Sequence, residues 1–178
     1  MENLIKYKKY SNLENYLFGD VSNDFNKNHY LTNEEFFTII IWKSNRSKTR
    51  VLNGIKKSEK TIKEITEEVY KEKELKNKVE ILKKIDGIGI PIASAILAVC
   101  YPNDFTITDY RATNSLEILG EKITKNPALS SSSYLDYVNI CKKLKDRYNC
   151  SLREFDRILW GIDWYEGKGG LKELIKGL

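Results

Sequence analysis

A glycine pair and an aspartate are the residues whose types and spacing could do chemistry. Glycine stands at both ends of the Gly-Ile-Gly turn at residues 87–89, where it permits φ > 0 and a close approach of the backbone to another molecule. Pro91 fits the first turn of the helix that follows, because its missing N–H is not needed there. Backbone N–H groups at a helix N-terminus bind anions, and Lys83 and Lys84 precede the turn, so this segment is a candidate phosphate site.

Asp109 follows the second glycine by twenty positions (109 − 89) and is expected to begin another helix. The positive end of the helix dipole favours an ionised carboxylate at that position. An ionised carboxylate can stabilise positive charge that develops in a reaction, and it can position or deprotonate a water molecule. Asp109 could instead be an N-cap alone, although one carboxylate can serve both roles.

The turn has a plain structural alternative, in which a glycine ends one helix and a proline begins the next. Under either interpretation Ile88 is expected to insert into the core, and the small residues 93–95 (Ala-Ser-Ala) to let the flanking helices pack closely. The Gly-x-Gly pattern by itself is weak evidence for binding, so the surrounding residues must decide.

The wider pattern joins the turn to the aspartate through a helix and a loop. Its elements are Ile85, Gly87, Ile88, Gly89 and Ala93, the loop Tyr-Pro-Asn-Asp at 101–104, Ile-Thr-Asp at 107–109, and Leu116. This arrangement resembles the helix-hairpin-helix (HhH-GPD) DNA glycosylase superfamily, typified by endonuclease III, adenine DNA glycosylase and the 8-oxoguanine glycosylases. The resemblance is specific over residues 83–119. Residues 152–160 are also similar, more weakly, to the last long helix of the compact archaeal-type 8-oxoguanine glycosylases.

The resemblance implies a DNA N-glycosylase of base excision repair that binds double-stranded DNA and uses Asp109 as its catalytic carboxylate. The damaged or modified base would leave the stack and enter a pocket. The residues expected to contact DNA are Lys43, Arg46, Lys83, Lys84, Gly87, Ile88, Gly89, Ile90 and Arg111, the last with solvent as its alternative. The aromatic residues considered for the base pocket, each with core packing as its alternative, are Trp42, Trp160, Trp164 and Tyr165.

Two departures from the family's pattern shape the expected chemistry. Bifunctional members carry a lysine two residues beyond the second hairpin glycine, which forms a Schiff base with the sugar, whereas this sequence has Pro91 there. We therefore expect a monofunctional glycosylase that uses water, or a binding protein that has given up catalysis. The four-cysteine cluster of endonuclease III is missing too, so no iron–sulfur cluster and no other cofactor is expected. The hairpin backbone at residues 85–90 is a candidate site for a monovalent cation.

Helical periodicity dominates the sequence and predicts an all-α fold. Thr32 and Glu35 form a capping box before an apolar run whose three isoleucines would also suit a strand. Ser58 is expected to cap the next helix. Further helices are predicted over residues 74–85 and from Pro91, Asp109, Ser132 and Ser151. We expect a compact multi-helix domain over residues 1–178, with a helix-hairpin-helix motif and two lobes, one of residues 32–120 and one of the N- and C-terminal helices.

Composition narrows the class of protein. With 41% hydrophobic and 31% charged residues, the 178-residue chain belongs to neither the disordered nor the membrane-embedded class. The sequence has no apolar run of about 20 residues and no recognisable signal peptide, so we expect a cytoplasmic monomer without a membrane partner. A net charge of +5 permits a polyanionic partner without requiring one. Three cysteines without metal-ligand spacing predict free thiols, and one histidine, His29, cannot form a histidine-based metal site.

Three functions stay open. The first is a DNA N-glycosylase, the second a non-catalytic module that holds duplex backbone, and the third a glycosylase-like scaffold that binds another protein. Asp109 separates the first from the second, because a binding module needs no carboxylate near the sugar. Salt dependence separates the second from the third, since phosphate contacts weaken steeply as salt is added.

Overall fold

The structure is a computed structural model that describes residues 4–123 and 125–176. Helices and their connecting loops account for these residues, with no β-strand among them, so the predicted all-α fold class is confirmed. The α-helices are α1 (Leu13–Asn15), α2 (Ser22–Asn28), α3 (Asn33–Ser44), α4 (Lys48–Lys57), α5 (Ile62–Lys71), α6 (Leu75–Lys83), α7 (Ile90–Cys100), α8 (Tyr110–Ile118), α9 (Ser131–Arg147), α10 (Leu152–Glu166) and α11 (Leu171–Lys176). A π-helical segment, Tyr16–Val21, joins α1 to α2, and 3₁₀ segments lie at Leu4–Asn12 and Asn45–Ser47.

Side-chain caps decide where several helices begin. Thr32 and Glu35 form the predicted capping box of α3, and the isoleucine run is helical. The predicted cap at Ser58 is wrong, because Ser58 ends α4 and the capping box of α5 is made by Thr61 with Glu64. Only Thr61 has a glutamate three residues later, so only there are both exposed N–H groups satisfied by side chains. Caps at Asp109, Ser130 and Ser151 start α8, α9 and α10. Helix α9 begins at Ser131, one residue before the predicted start at Ser132.

Helix α7 is the centre of the hydrophobic core. Ten of its eleven residues are buried, Pro91 being the exception, and α3 and α6 pack against it. Its small residues 93–95 are buried, as expected from the sequence, and so is Cys100. A second part of the core is formed where the ring of Phe105 stacks with Tyr134 of α9, and Tyr134 with Tyr137 of the same helix. The division into two lobes stays a prediction.

The sequence analysis predicted N-terminal helices without bounds, and it missed α4. Helix α4 was not predicted from apolar periodicity because only two of its residues, Val51 and Gly54, are buried. Gly54 is there for close packing, since a Cβ on it would lie 2.0 Å from the carbonyl oxygen of Asp86, in the turn after α6. Among the described residues, no helix has the length and apolar character needed to cross a membrane.

The contact between α4 and the turn predicts opposite effects for two glycine substitutions. Gly54→Ala should lower the free energy of unfolding by about 1–3 kcal/mol, because the new methyl group forces the Asp86 backbone away from α4. Gly161→Ala, inside α10 with no atom within 4 Å of the new Cβ, should raise that free energy by about 1 kcal/mol. Urea denaturation followed by circular dichroism measures both. Equal shifts for the two variants would contradict the close contact.

Candidate functional site

An extended segment, residues 106–109, leads from the core to Asp109 at the start of α8. Three buried hydroxyl groups, one from α7 and two from α9, hold its backbone by hydrogen bonds of 2.7–3.1 Å: Ser94 to the Thr108 N–H, Tyr134 to the Thr106 carbonyl and Tyr137 to the Ile107 carbonyl. Since the partners belong to packed helices, the position of Asp109 is fixed by the core rather than by a surface loop.

Asp109 has one partner on each carboxylate oxygen. Its Oδ1 accepts a hydrogen bond from the Ala112 N–H at 3.1 Å, which confirms the predicted N-cap. Its Oδ2 lies 2.9 Å from the Nζ of Lys43, on the last turn of α3. The Lys43 side chain is 13% exposed and that of Asp109 is 33% exposed. The ammonium group of Lys43 is therefore directed to Asp109, and its expected contact with DNA stays a prediction.

A cavity of about 850 Å³ opens beside this ion pair. It is lined by residues of α1, α3, α8 and α10 and of the segments before α8 and α10, among which are Glu14, Trp42, Lys43, Ile107, Asp109, Arg153, Asp156 and Trp160. Its volume is within the 300–1,000 Å³ typical of small-molecule sites. Of the four aromatic residues expected in a base pocket, Trp42 and Trp160 line this cavity.

The inner wall of the cavity is built around the guanidinium group of Arg153. That group lies 4.1 Å from the ring centre of Phe18 and 5.6 Å from that of Trp42. It forms ion pairs with Asp156, one turn away on α10, and with Glu14 at 3.0 Å. The Nε atom of Arg153 is buried and has no hydrogen-bond partner among the described residues.

Asp156 is the buried acid of the cavity wall. Burial raises the pKa of Asp156 to about 6, although the neighbouring charges of Arg153 and Lys43 lower it. The carboxylates of Asp109 and Glu14 raise the pKa further by repulsion. Asp156 therefore changes its protonation state close to neutral pH within the same charge cluster as Asp109.

The Gly-Ile-Gly turn departs from the prediction at one glycine. Gly87 has φ = +94°, but Gly89 has φ = −92° and ψ = 177°, so the expectation of φ > 0 at both positions is wrong. Gly89 is instead the N-cap of α7, a position that requires extended backbone, and its carbonyl accepts the first hydrogen bonds of that helix. Ile88 is buried, as predicted.

The turn has backbone N–H groups without an internal acceptor among the described residues. The N–H groups of Gly87, Gly89 and Ile90 have no acceptor within residues 4–123 and 125–176.

Helix α4 supplies cations beside the turn, since Arg50 and Lys57 lie 3.9 Å and 3.8 Å from the carboxylate of Asp86. Lys84 is largely exposed and 3.9 Å from Glu68, whereas Lys83 pairs with Glu80 at 3.1 Å. The expected contact of Lys83 and Lys84 with phosphate stays a prediction, since Lys84 is as exposed and as loosely paired as Arg50 and Lys57.

Of the remaining predicted site residues, Arg111 lies against the cavity wall, whereas Arg46, Trp164 and Tyr165 lie outside both features. Arg111 forms an ion pair with Asp163 at 3.3 Å and lies 5.4 Å from the ring centre of the cavity-lining Trp160, and its contact with phosphate stays a prediction. Trp164 and Tyr165 are about half exposed and do not line the cavity. Arg46 is exposed and forms no ion pair within the described part of the chain.

Sequence reasoning missed five charged residues of the cavity lining, namely Glu14, Arg153, Glu154, Asp156 and Arg157. A signal was present for Asp156, which follows Leu152 by four positions and so falls on the apolar stripe of α10. A charged residue on a buried stripe needs a partner, and Arg153 lies close enough along the same helix to be one.

The arrangement can bind an aromatic group next to a carboxylate and an amine. No family model matches the sequence, and it matches no curated protein and no solved structure. The functional assignment therefore depends on the chemistry of these residues and on their distances.

Proposed function

We propose that the protein is a DNA N-glycosylase, which removes a damaged or modified base by hydrolysis assisted by Asp109. The observation that carries the proposal is the position of Asp109 in the wall of a cavity that also contains Trp42 and Trp160. A base extruded from the duplex needs a pocket with aromatic walls, and cleavage of its bond to the sugar needs a carboxylate near that bond.

The Asp109 carboxylate would act on the sugar. As the bond to the base breaks, positive charge develops on the deoxyribose ring, and a nearby carboxylate stabilises it and positions the attacking water. The hydrogen bonds that hold residues 106–109 support this role, because they keep the carboxylate in place before DNA arrives. Pro91 supplies no amine at the hairpin, so hydrolysis by itself leaves an abasic site in an intact strand.

The turn after α6 would hold the DNA backbone. Its unpaired N–H groups at Gly87 and Gly89 can donate to a phosphate at the N-terminus of α7. Arg50 and Lys57 lie on the neighbouring helix, within 4 Å of the turn's Asp86, and would add attraction for a second phosphate. Together they make a helix-hairpin-helix interface to duplex DNA, now with α4 as part of it.

One observation favours a second candidate, a helix-hairpin-helix protein that binds DNA without catalysis. Both carboxylate oxygens of Asp109 already have partners, in Lys43 and in the Ala112 N–H. A purely structural Asp109 would need nothing more. The two candidates share the hairpin and differ in what happens to the base.

Base release from defined duplexes tests the proposal. Labelled duplexes would each carry 8-oxoguanine, uracil, an alkylated purine, or a hydroxymethylated or glucosylated cytosine, and alkali would cleave every abasic site before the strands are separated. We expect release from one class of modified base. Salt-sensitive duplex binding without any release would favour the second candidate, and the absence of both would leave a protein-binding scaffold.

A further inference from the structure

We propose that an aromatic surface beside the Asp109 cavity binds single-stranded DNA by stacking on its unpaired bases. The surface consists of Tyr110 and Arg111 in the first turn of α8 and of Trp160 and Trp164 on α10. Its biological role rests on the proposed function, because a strand whose modified base enters the cavity would cross this surface. Binding itself does not depend on base release, so the two can be tested apart.

The two tryptophan side chains each leave about half of their surface to solvent. Trp160 is 51% exposed and Trp164 is 49% exposed, and they lie four residues apart, on the same side of α10. Burial of a tryptophan is favourable because of its large apolar area, so two exposed ones side by side mark an interaction surface. Trp160 also lines the cavity, and the surface is therefore continuous with the site of Asp109.

The guanidinium group of Arg111 lies near two of the exposed rings. Its central carbon is 5.5 Å from the ring centre of Tyr110 and 5.4 Å from that of Trp160. Its Nη1 atom donates to the buried Asp163, whose other carboxylate oxygen accepts from Asn114, both at 3.3 Å. A guanidinium group has several N–H donors in a fixed plane, so this one is held in place and can still donate to a phosphate.

The chemistry of the surface matches a nucleic acid strand, in which flat bases alternate with phosphates. Proteins that bind single strands combine aromatic side chains, on which the bases stack, with cations that contact the backbone. Arg111 supplies a cation between α8 and α10. Arg157 supplies another, three residues before Trp160, with a side chain that is 65% exposed although it lies 3.3 Å from Glu14.

The spacing of the rings favours an unpaired strand over a duplex. A base inside a duplex is covered on both faces by its neighbours, so it has no free face for an aromatic side chain. Residues four apart on a helix are about 6 Å apart along its axis, whereas successive bases of a duplex strand are about 3.4 Å apart. A base against Trp160 and the next one against Trp164 would therefore be separated, as they are in an extended single strand.

Fluorescence anisotropy with a labelled, unmodified oligothymidylate tests the surface without requiring any modified base. We expect Trp164→Leu, which keeps an apolar side chain without a ring, to bind the strand about tenfold more weakly than the wild type, the loss expected for one stacked base. Trp164→Phe should keep most of the affinity, because it keeps a ring. Tyr165→Leu is the matched control and should bind like the wild type, since it removes a ring of similar exposure about 100° further round α10.

Salt dependence and the oligomeric state complete the test. The loss in Trp164→Leu should be the same at low and at high salt, because stacking releases no counterions, and its affinity for duplex DNA should equal that of the wild type. Equal single-strand affinity of Trp164→Leu and the wild type overturns the proposal, as does an equal loss of duplex affinity. A wild-type dimer in sedimentation velocity that Trp164→Leu abolishes also overturns it, because the surface would then bind a second copy of the chain.

The surface and the proposed function fail separately. Release of a modified base by a protein whose single-strand affinity does not depend on Trp164 would keep the glycosylase and overturn the surface. Single-strand binding that depends on the Trp164 ring, without release of any base, would support the surface and contradict the enzyme.

Discussion

Replacing Asp109 by asparagine is expected to lower the rate of base release by about a hundredfold to a thousandfold, the loss typical when one charge-stabilising group is removed from a catalytic site. Asparagine keeps the shape of the side chain but cannot neutralise the positive charge on the sugar. Its amide oxygen still caps α8 through the Ala112 N–H, so the fold should persist. Single-turnover assays on the released base class, with alkaline cleavage, measure the effect.

Two controls make the Asp109 result interpretable. Asp104→Asn removes an exposed carboxylate that pairs with Lys142, and it should leave base release unchanged. Duplex affinity of Asp109→Asn, measured by fluorescence anisotropy, should stay near that of the wild type, because the turn at residues 87–89 is untouched. If Asp109→Asn released the base at the wild-type rate, Asp109 would be a cap and an ion-pair partner only.

The double variant Arg50→Gln/Lys57→Gln should bind duplex DNA about tenfold to a hundredfold more weakly at low salt, with each lost phosphate contact reducing the slope of log K against log salt by about 0.9. Both side chains are largely exposed, and both lie within 4 Å of Asp86 beside the unpaired N–H groups of the turn. Fluorescence anisotropy over a series of salt concentrations gives the affinity and the slope together.

The matched control for this charge change lies on α9. Lys142→Gln/Lys145→Gln also removes two positive charges, but from α9, which packs against α6 and α10. Its salt slope should stay close to that of the wild type. Asp86→Asn should act in the opposite direction and strengthen binding, because it removes a negative charge from the turn. A similar loss in both double variants would mean that net charge alone governs binding.

The fold could be predicted from sequence where local chemistry decided the outcome. The capping box of Thr32 and Glu35 and the largely apolar sequence of α7 predicted helices at the right places, since both signals lie within a few residues. Helix α4 could not be predicted in this way. Its place depends on the fit of Gly54 against the Asp86 carbonyl, 32 positions later (86 − 54), and one sequence contains no record of that contact.

In the candidate site, too, local features could be predicted from the sequence and long-range contacts could not. The N-cap role of Asp109 follows from its own residue type and position, and the structure bears it out. The contact with Lys43 joins residues 66 positions apart and depends on how α3 packs beside α8. The sequence analysis consequently placed Lys43 against phosphate, because the sequence does not show in which direction the end of α3 faces.

The hydroxyl groups that hold residues 106–109 also affect the thermodynamics of ligand binding. Ordering one residue of backbone costs about 1–2 kcal/mol of conformational entropy, and a flexible loop would meet that cost when the ligand binds. Here Ser94, Tyr134 and Tyr137 order the segment when the chain folds. A ligand that reaches Asp109 therefore finds the carboxylate already in position, and its binding free energy is not reduced by the cost of ordering this segment.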